Sequence, residues 1–62
     1  MAVKYYKYVG ESKVAFENGA IYQCEKEEVE GIGPMIAICD ESEGWYLYST
    51  DFFKSNFIEC TD

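Results

Sequence analysis

The sequence lacks histidine and arginine altogether and has one proline among its 62 residues. Without histidine, it lacks the side chain that most often acts as a general base or a metal ligand. It also has no glycine-rich phosphate loop opening a helix and no serine in a nucleophile elbow. These absences predict that the chain is not an enzyme and that it uses no cofactor.

Patterns that would bind a metal ion are also missing. Three cysteines without a histidine would need a fourth ligand to hold zinc. The carboxylates between Asp40 and Asp51 could gather around calcium, but their spacing does not match the twelve-residue calcium loop. A hairpin turn exposed to solvent accounts for the same residues, so no metal site is predicted.

The cysteines and the chain start bear on the cellular compartment. Cys24, Cys39 and Cys60 form no CxxC pair and leave one thiol over in any single pairing, whereas secreted disulfide-stapled domains carry an even and denser set. No apolar segment follows Met1, and no run approaches the roughly 18 residues that span a membrane. This predicts a cytoplasmic protein whose thiols stay reduced, as small hydrophobic residues buried in strands.

Positive charge is scarce, since twelve acidic residues stand against five lysines and give a formal net charge of −7. A field of this sign repels nucleic-acid phosphates and anionic lipid, so direct binding to nucleic acid or to a membrane is not expected. A partner selected by charge would be a basic protein. The alternative is that the acidity only keeps a small protein in solution.

Length and aromatic content bound the fold. A chain of 62 residues makes one domain, residues 1–62, and buries only about 60% of the surface that its unfolded form exposes. Six tyrosines, four phenylalanines and one tryptophan cover large areas, so few side chains can close a small core. This apolar content argues against intrinsic disorder.

Alternating apolar residues between turn signals predict an all-β fold. The five predicted strands are Val3–Val9, Ala20–Glu28, Met35–Cys39, Trp45–Tyr48 and Asn56–Cys60. The third is apolar throughout, which is typical of a strand buried on both faces. Short strands joined by tight turns favour a small closed barrel.

The connections between the strands carry signals of their own. In the polar loop 10–18, Val14 and Phe16 are expected to pack against the barrel. The segment Asp40–Gly44 is typical of a hairpin turn. The segment Ser49–Phe53 offers a cap followed by a single helical turn that carries two phenylalanines before the last strand.

The order of these elements resembles an SH3-like barrel. The segment Phe16–Cys24 is similar to the turn and strand after the long first loop of SH3 domains, Asp40–Gly44 to their distal hairpin, and Ser49–Phe53 to their helical turn. The chain also resembles short single-domain SH3-like proteins of bacteria and phages in Gly19–Tyr22 and Tyr46–Tyr48. The resemblance implies a five-stranded SH3-like barrel with one short helical turn before the last strand.

Three departures from the peptide-binding SH3 pattern bear on function. The acidic, tyrosine-bearing motif of the first loop is absent, and Met35-Ile36 stands where the tryptophan pair opens the third strand. Ser49 occupies the place of the groove proline. A groove for proline-rich ligands is therefore not expected.

Acidic residues form two clusters that are candidates for binding a partner. The first cluster is predicted to lie in a flexible loop at the end of the second strand, and the second cluster in the hairpin. The members are Glu25, Glu27, Glu28 and Glu30 in the first and Asp40, Glu41 and Glu43 in the second. If the barrel brings both together, they form one carboxylate-lined surface suited to a basic groove that normally holds nucleic acid. The alternative is two unrelated solvated loops.

Aromatic residues form the second candidate surface. A barrel this small cannot bury all of its tyrosines and its tryptophan, and those left outside are residue types enriched at binding hot spots. Alternation places Tyr6 with Tyr8 and Trp45 with Leu47, without fixing which face is inward. We take Tyr6, Tyr8, Trp45 and Tyr46 as candidates for binding a partner, a homodimer being one use of such a patch.

These observations predict a non-enzymatic protein-interaction module. The leading hypothesis is an inhibitor of phage or mobile-element type that binds a basic, nucleic-acid-handling host protein through the acidic clusters. The alternative is a bacterial SH3-like adaptor or homo-oligomeric module that binds a peptide or itself through an aromatic patch.

Overall fold

The computed structural model describes residues 4–60, which form one antiparallel sheet and one helix. The elements are β1 (Lys4–Tyr8), β2 (Ile21–Val29), β3 (Gly33–Cys39), β4 (Trp45–Tyr48), α1 (Thr50–Asn56) and β5 (Phe57–Glu59). The strands lie side by side in the order β4-β3-β2-β1-β5, so β4 and β5 are the two edges. The predicted all-β fold is confirmed at this level.

Strand positions agree with the predictions to within a few residues, and β4 has the predicted bounds. The first predicted strand began at Val3, which lies outside the described residues. The helix is longer than predicted, with seven residues instead of a single turn. Ser49 caps it, since its Oγ accepts a hydrogen bond from the Phe52 amide at 3.1 Å. At the other end, the Asn56 side-chain amide donates to the Phe52 carbonyl at 2.9 Å.

The first acidic cluster was expected in a flexible loop at the end of the second strand, but most of it lies within β2, in the part that the predicted range Ala20–Glu28 already contained. Its residues pair along β3, with Glu25 opposite Ala37 and Glu27 opposite Met35, and only Glu30 falls in the turn. Glutamate is a poor strand former, but context overrides this weak preference when an apolar strand supplies a complete ladder of backbone hydrogen bonds. The carboxylates therefore alternate between the two faces of the sheet instead of gathering in one flexible loop.

The third predicted strand, β3, is buried on both faces as expected. Ile36 and Ile38 face the core, and Ala37 between them is 7% exposed on the opposite face. The inner face of the sheet is the one that carries these isoleucines, and the outer face is its reverse.

Phe16 occupies the centre of the core. It is 1% exposed, and its ring centroid lies 5.1–5.4 Å from those of Tyr8, Tyr22, Tyr48 and Phe57. The loop before β2 thus folds over the inner face and inserts this ring among residues of four strands. The prediction for Phe16 is confirmed.

Two expectations about neighbouring residues are wrong. Val14 is 98% exposed, because the Lys13 amide donates to the Phe16 carbonyl in a tight turn that places only Phe16 against the core. Tyr8, proposed as a partner-binding residue, is fully buried, since its ring stacks on Phe16 and its hydroxyl donates to the Glu11 carbonyl at 2.8 Å. Tyr8 has no surface with which to bind a partner.

Replacing Phe16 by alanine should unfold the protein. Truncating a buried phenylalanine costs about 3–5 kcal/mol, and a domain of this size has roughly 3–5 kcal/mol to lose. Circular dichroism during urea and thermal unfolding measures the effect. Val14→Ala is the matched control in the same loop and should change the free energy of unfolding by less than about 0.5 kcal/mol. A cooperative Phe16→Ala transition near that of the parent protein would contradict this account of the core.

Candidate functional site

The outer face of the sheet exposes large apolar side chains. Strand alternation places on it one residue from β1, one from β2, two from β4 and one from β5. These residues are Tyr5, Ile21, Trp45, Leu47 and Ile58, and each is about half exposed. Exposed apolar side chains collected on one face make this face a candidate interaction surface.

Leu47 on the outer face lies in the same row of the sheet as an acidic residue. Leu47 pairs with Ala37, and Ala37 pairs with Glu25, so these three lie in one row across β4, β3 and β2. Neighbouring strands are about 4.8 Å apart, which puts the Glu25 backbone about 10 Å from that of Leu47. Glu27 lies on the same face beside Met35. On the outer face, the apolar side chains of β4 therefore have carboxylates of β2 on one side.

The two acidic clusters do not form one surface. Glu30 lies in the turn at one end of β3, and the hairpin Asp40–Gly44 follows the other end. Seven strand residues separate the ends by about 20 Å, at roughly 3.3 Å per residue. Within the first cluster, Glu28 pairs with Pro34 and alternates to the face opposite Glu25 and Glu27. The expectation of one phosphate-like carboxylate surface is therefore wrong.

Glu41 has a structural role in the hairpin. Its Oε2 accepts a hydrogen bond from the Tyr22 hydroxyl at 2.7 Å, and its amide donates to the Ala15 carbonyl at 3.0 Å. The Tyr22 oxygen also accepts from the Glu17 amide at 2.7 Å. Burial, followed by the bond to Glu41, raises the pKa of Tyr22 to about 12. The carboxylate thus joins the hairpin to β2, and the amide joins it to the loop before β2.

The hairpin tip has a defined backbone conformation. Asp40 Oδ1 accepts hydrogen bonds from the Ser42 amide at 2.9 Å and the Ser42 hydroxyl at 2.6 Å. Glu43 has a φ of 67°, in the left-handed region. Of the second cluster, Glu43 is thus the residue at the tip, while Asp40 and Glu41 hold the turn.

The predicted aromatic candidates are divided between the two faces. Trp45 is on the outer face, whereas Tyr46 is exposed but pairs with Ile38 on the inner-face side of β4. Tyr6 is partly covered by α1, its ring lying edge-on to Phe53 at 4.7 Å. Sequence reasoning did not select Tyr5, although it is more exposed than Tyr6, because both alternating sets of β1 contain tyrosine.

The cysteines differ in exposure. Cys24 in β2 is buried, and burial raises the pKa of its thiol to about 12. Cys39 at the end of β3 and Cys60 after β5 are partly buried. All three thiols are free. The expectation of small hydrophobic residues in strands fits Cys24 best.

Comparison with models of protein families, with curated proteins and with solved structures finds no match to this chain. Residues 4–60 contain no helix that is both long and apolar enough to cross a membrane. Within the same range, histidine, cysteine and acidic side chains form no group of three that could hold a metal ion.

The burial of Tyr22, together with its bond to Glu41, predicts a loss of stability at alkaline pH. The unfolded chain releases the Tyr22 proton near pH 10, but the folded chain holds it to about pH 12. Stability is therefore fully present below pH 10 and falls as the pH rises from 10 to about 12. Tyr22→Phe should make this decline shallower, and at neutral pH should cost about 1 kcal/mol.

Urea unfolding between pH 7 and 12 measures both effects. Tyr5→Phe, at a half-exposed tyrosine, is the control and should keep the alkaline decline of the parent protein. Equal declines in the Tyr22→Phe variant and the parent protein would show that this hydroxyl does not carry the pH dependence.

Proposed function

We propose that this chain is a non-enzymatic protein-interaction module that binds a basic protein through the outer face of β2, β3 and β4. The observation that carries the proposal is the row Leu47–Ala37–Glu25 on the outer face, with exposed Trp45 two residues from Leu47 and Glu27 two residues from Glu25 on the same face. Burying a tryptophan and a leucine supplies binding energy, and carboxylates beside them select a basic rim on the partner. The net charge of −7 would speed the encounter with such a partner.

The fold that we propose is an SH3-like barrel. The strand order β4-β3-β2-β1-β5 supports it, as does a helix placed immediately before the last strand. The aromatic cluster around Phe16 supports it as well, because one ring contacts residues of four strands on the inner face.

The biological role that we propose is inhibition of a basic, nucleic-acid-handling host protein by a phage- or mobile-element-type protein in the cytoplasm. Small size and strong negative charge support this role. Because the acidic residues are spread along β2 and over both faces of the sheet, charge would guide association, and the apolar centre would hold the complex together. This differs from mimicry of a phosphate backbone by one continuous acidic surface.

The first test is affinity capture from bacterial lysate with the parent protein and three variants. Trp45→Ala combined with Leu47→Ala should weaken binding of the identified partner by about 30-fold or more, as expected for a hot-spot loss of about 2 kcal/mol. Glu25→Lys with Glu27→Lys should weaken it too, and more at low than at high salt. Circular dichroism verifies that each variant is folded.

The matched control is Glu28→Lys with Glu30→Lys. It changes the net charge by the same amount, but Glu28 alternates to the other face and Glu30 lies in the turn. This control should retain most of the affinity. If both charge reversals weaken binding equally, overall charge and not the outer face determines recognition. If the Trp45 and Leu47 variant binds as the parent protein does, the proposed surface is wrong.

A further inference from the structure

The two edges of the sheet differ in how they are protected. Soluble proteins shield edge strands with charge, proline, bulges or short length, because an unpaired edge is a template for another strand. At one edge, β5 has three residues and ends in Glu59, which forms an ion pair with Lys4 at 3.5 Å. At the other edge, β4 has the sequence Trp-Tyr-Leu-Tyr, with no charge, no proline and regular pairing along β3.

The hydrogen-bonding pattern identifies which groups of β4 point outward. In the hairpin, the Asp40 amide donates to the Gly44 carbonyl at 3.1 Å, so these residues form a hydrogen-bonded pair. Hydrogen-bonded and non-hydrogen-bonded pairs alternate along an antiparallel ladder. The registered pairs Tyr46↔Ile38 and Tyr48↔Ile36 are thus bonded to β3. The amides and carbonyls of Trp45 and Leu47 point to the free edge.

We propose that two copies of this chain associate through their β4 edges, antiparallel, about a two-fold axis at Tyr46. Only a few registers keep each residue opposite one on the same face of the extended sheet. With Tyr46 opposite its own copy, Trp45 lies opposite Leu47 of the second chain, and Leu47 opposite Trp45. All outward amides and carbonyls of these two residues then pair, giving four hydrogen bonds. In a register centred on Leu47, Leu47 would pair with its own copy, but Trp45 would lie opposite Ser49, which is outside β4.

The absence of charged residues in β4 allows a second copy of this chain to occupy this edge. Each chain carries a net charge of −7, so two copies repel each other over most of their surfaces. The strand β4 is the uncharged edge, and its side chains are self-complementary in the register above, as a two-fold interface requires. The product is one ten-stranded sheet in which the two Trp45–Leu47 surfaces lie side by side. A four-residue contact between like-charged chains predicts a weak dimer that salt strengthens.

This dimer does not depend on the function proposed above. Tyr46 is on the inner-face side of β4 and is not part of the outer-face surface. A monomer could still bind a basic partner, and a dimer could form without one. The salt dependence distinguishes the dimer from binding to the basic partner, because added salt should strengthen the dimer and weaken binding to the basic partner.

Sedimentation equilibrium over a range of protein and salt concentrations measures the association. The parent protein should show a reversible monomer–dimer equilibrium, with the dimer favoured at higher salt. Tyr46→Lys places two lysines together at the two-fold axis and should weaken the dimer at least tenfold. Ile58→Lys makes the same chemical change at an equally exposed residue on the opposite edge and should leave association unchanged.

Amide hydrogen exchange gives a second readout. Raising the protein concentration should slow exchange of the Trp45 and Leu47 amides in the parent protein but not in Tyr46→Lys. Tyr46 and Tyr48 amides, already bonded to β3, should change much less. A protein that is monomeric up to millimolar concentration, a larger closed ring, or an equal effect of Ile58→Lys would each overturn the proposal.

Discussion

The insertion of Phe16 into the aromatic cluster is the contact on which the rest of the structure depends. Its ring lies against side chains from β1, β2, β4 and β5 and is almost completely shielded from water. In a domain with so little interior, one ring at the centre replaces many smaller contacts. By covering one face of the sheet, it also decides that Tyr5, Trp45 and Leu47 are left outside.

Negative charge has two different uses in this small protein. Glu41 is held by Tyr22 and by the loop before β2, so part of the acidity stabilises the fold. Glu25 and Glu27 have no such role in the core and lie on the outer face. A count of acidic residues cannot separate these uses, because each depends on which atoms lie next to the carboxylate. The proposed binding surface therefore contains fewer of the acidic residues than the net charge suggests.

The outer face and the β4 edge present complementary features. The face has apolar side chains with carboxylates beside them, which suits a basic protein, while the edge has unpaired backbone groups and no charge. The apolar side chains of β4 and the unpaired backbone groups come from the same four residues. Their side chains alternate between the faces of the sheet, while their amides alternate between β3 and the free edge. A short strand can thus take part in two kinds of contact at once.

Local chemistry in the sequence was sufficient to predict part of the structure. The bounds of β4, the capping by Ser49 and the apolar character of β3 follow from turn residues and from short-range patterns. The burial of Phe16 was also predicted, because its large ring removes a large apolar area from water when it packs against the sheet. The all-β character of the fold followed from the same signals.

Tertiary contacts alone decided the rest. Both faces of β1 contain tyrosine, so only packing against Phe16 determines that Tyr8 is buried and Tyr5 exposed. Glu25 and Glu27 lie on the outer face and Glu28 on the inner face because the pairing with β3 sets which face of β2 is covered. The length of β3 separates Glu30 from the hairpin, and strand alternation turns Glu28 to the other face, and neither follows from the sequence until the strands are paired. Sequence fixes local preferences, whereas faces, edges and distances arise only when strands are paired.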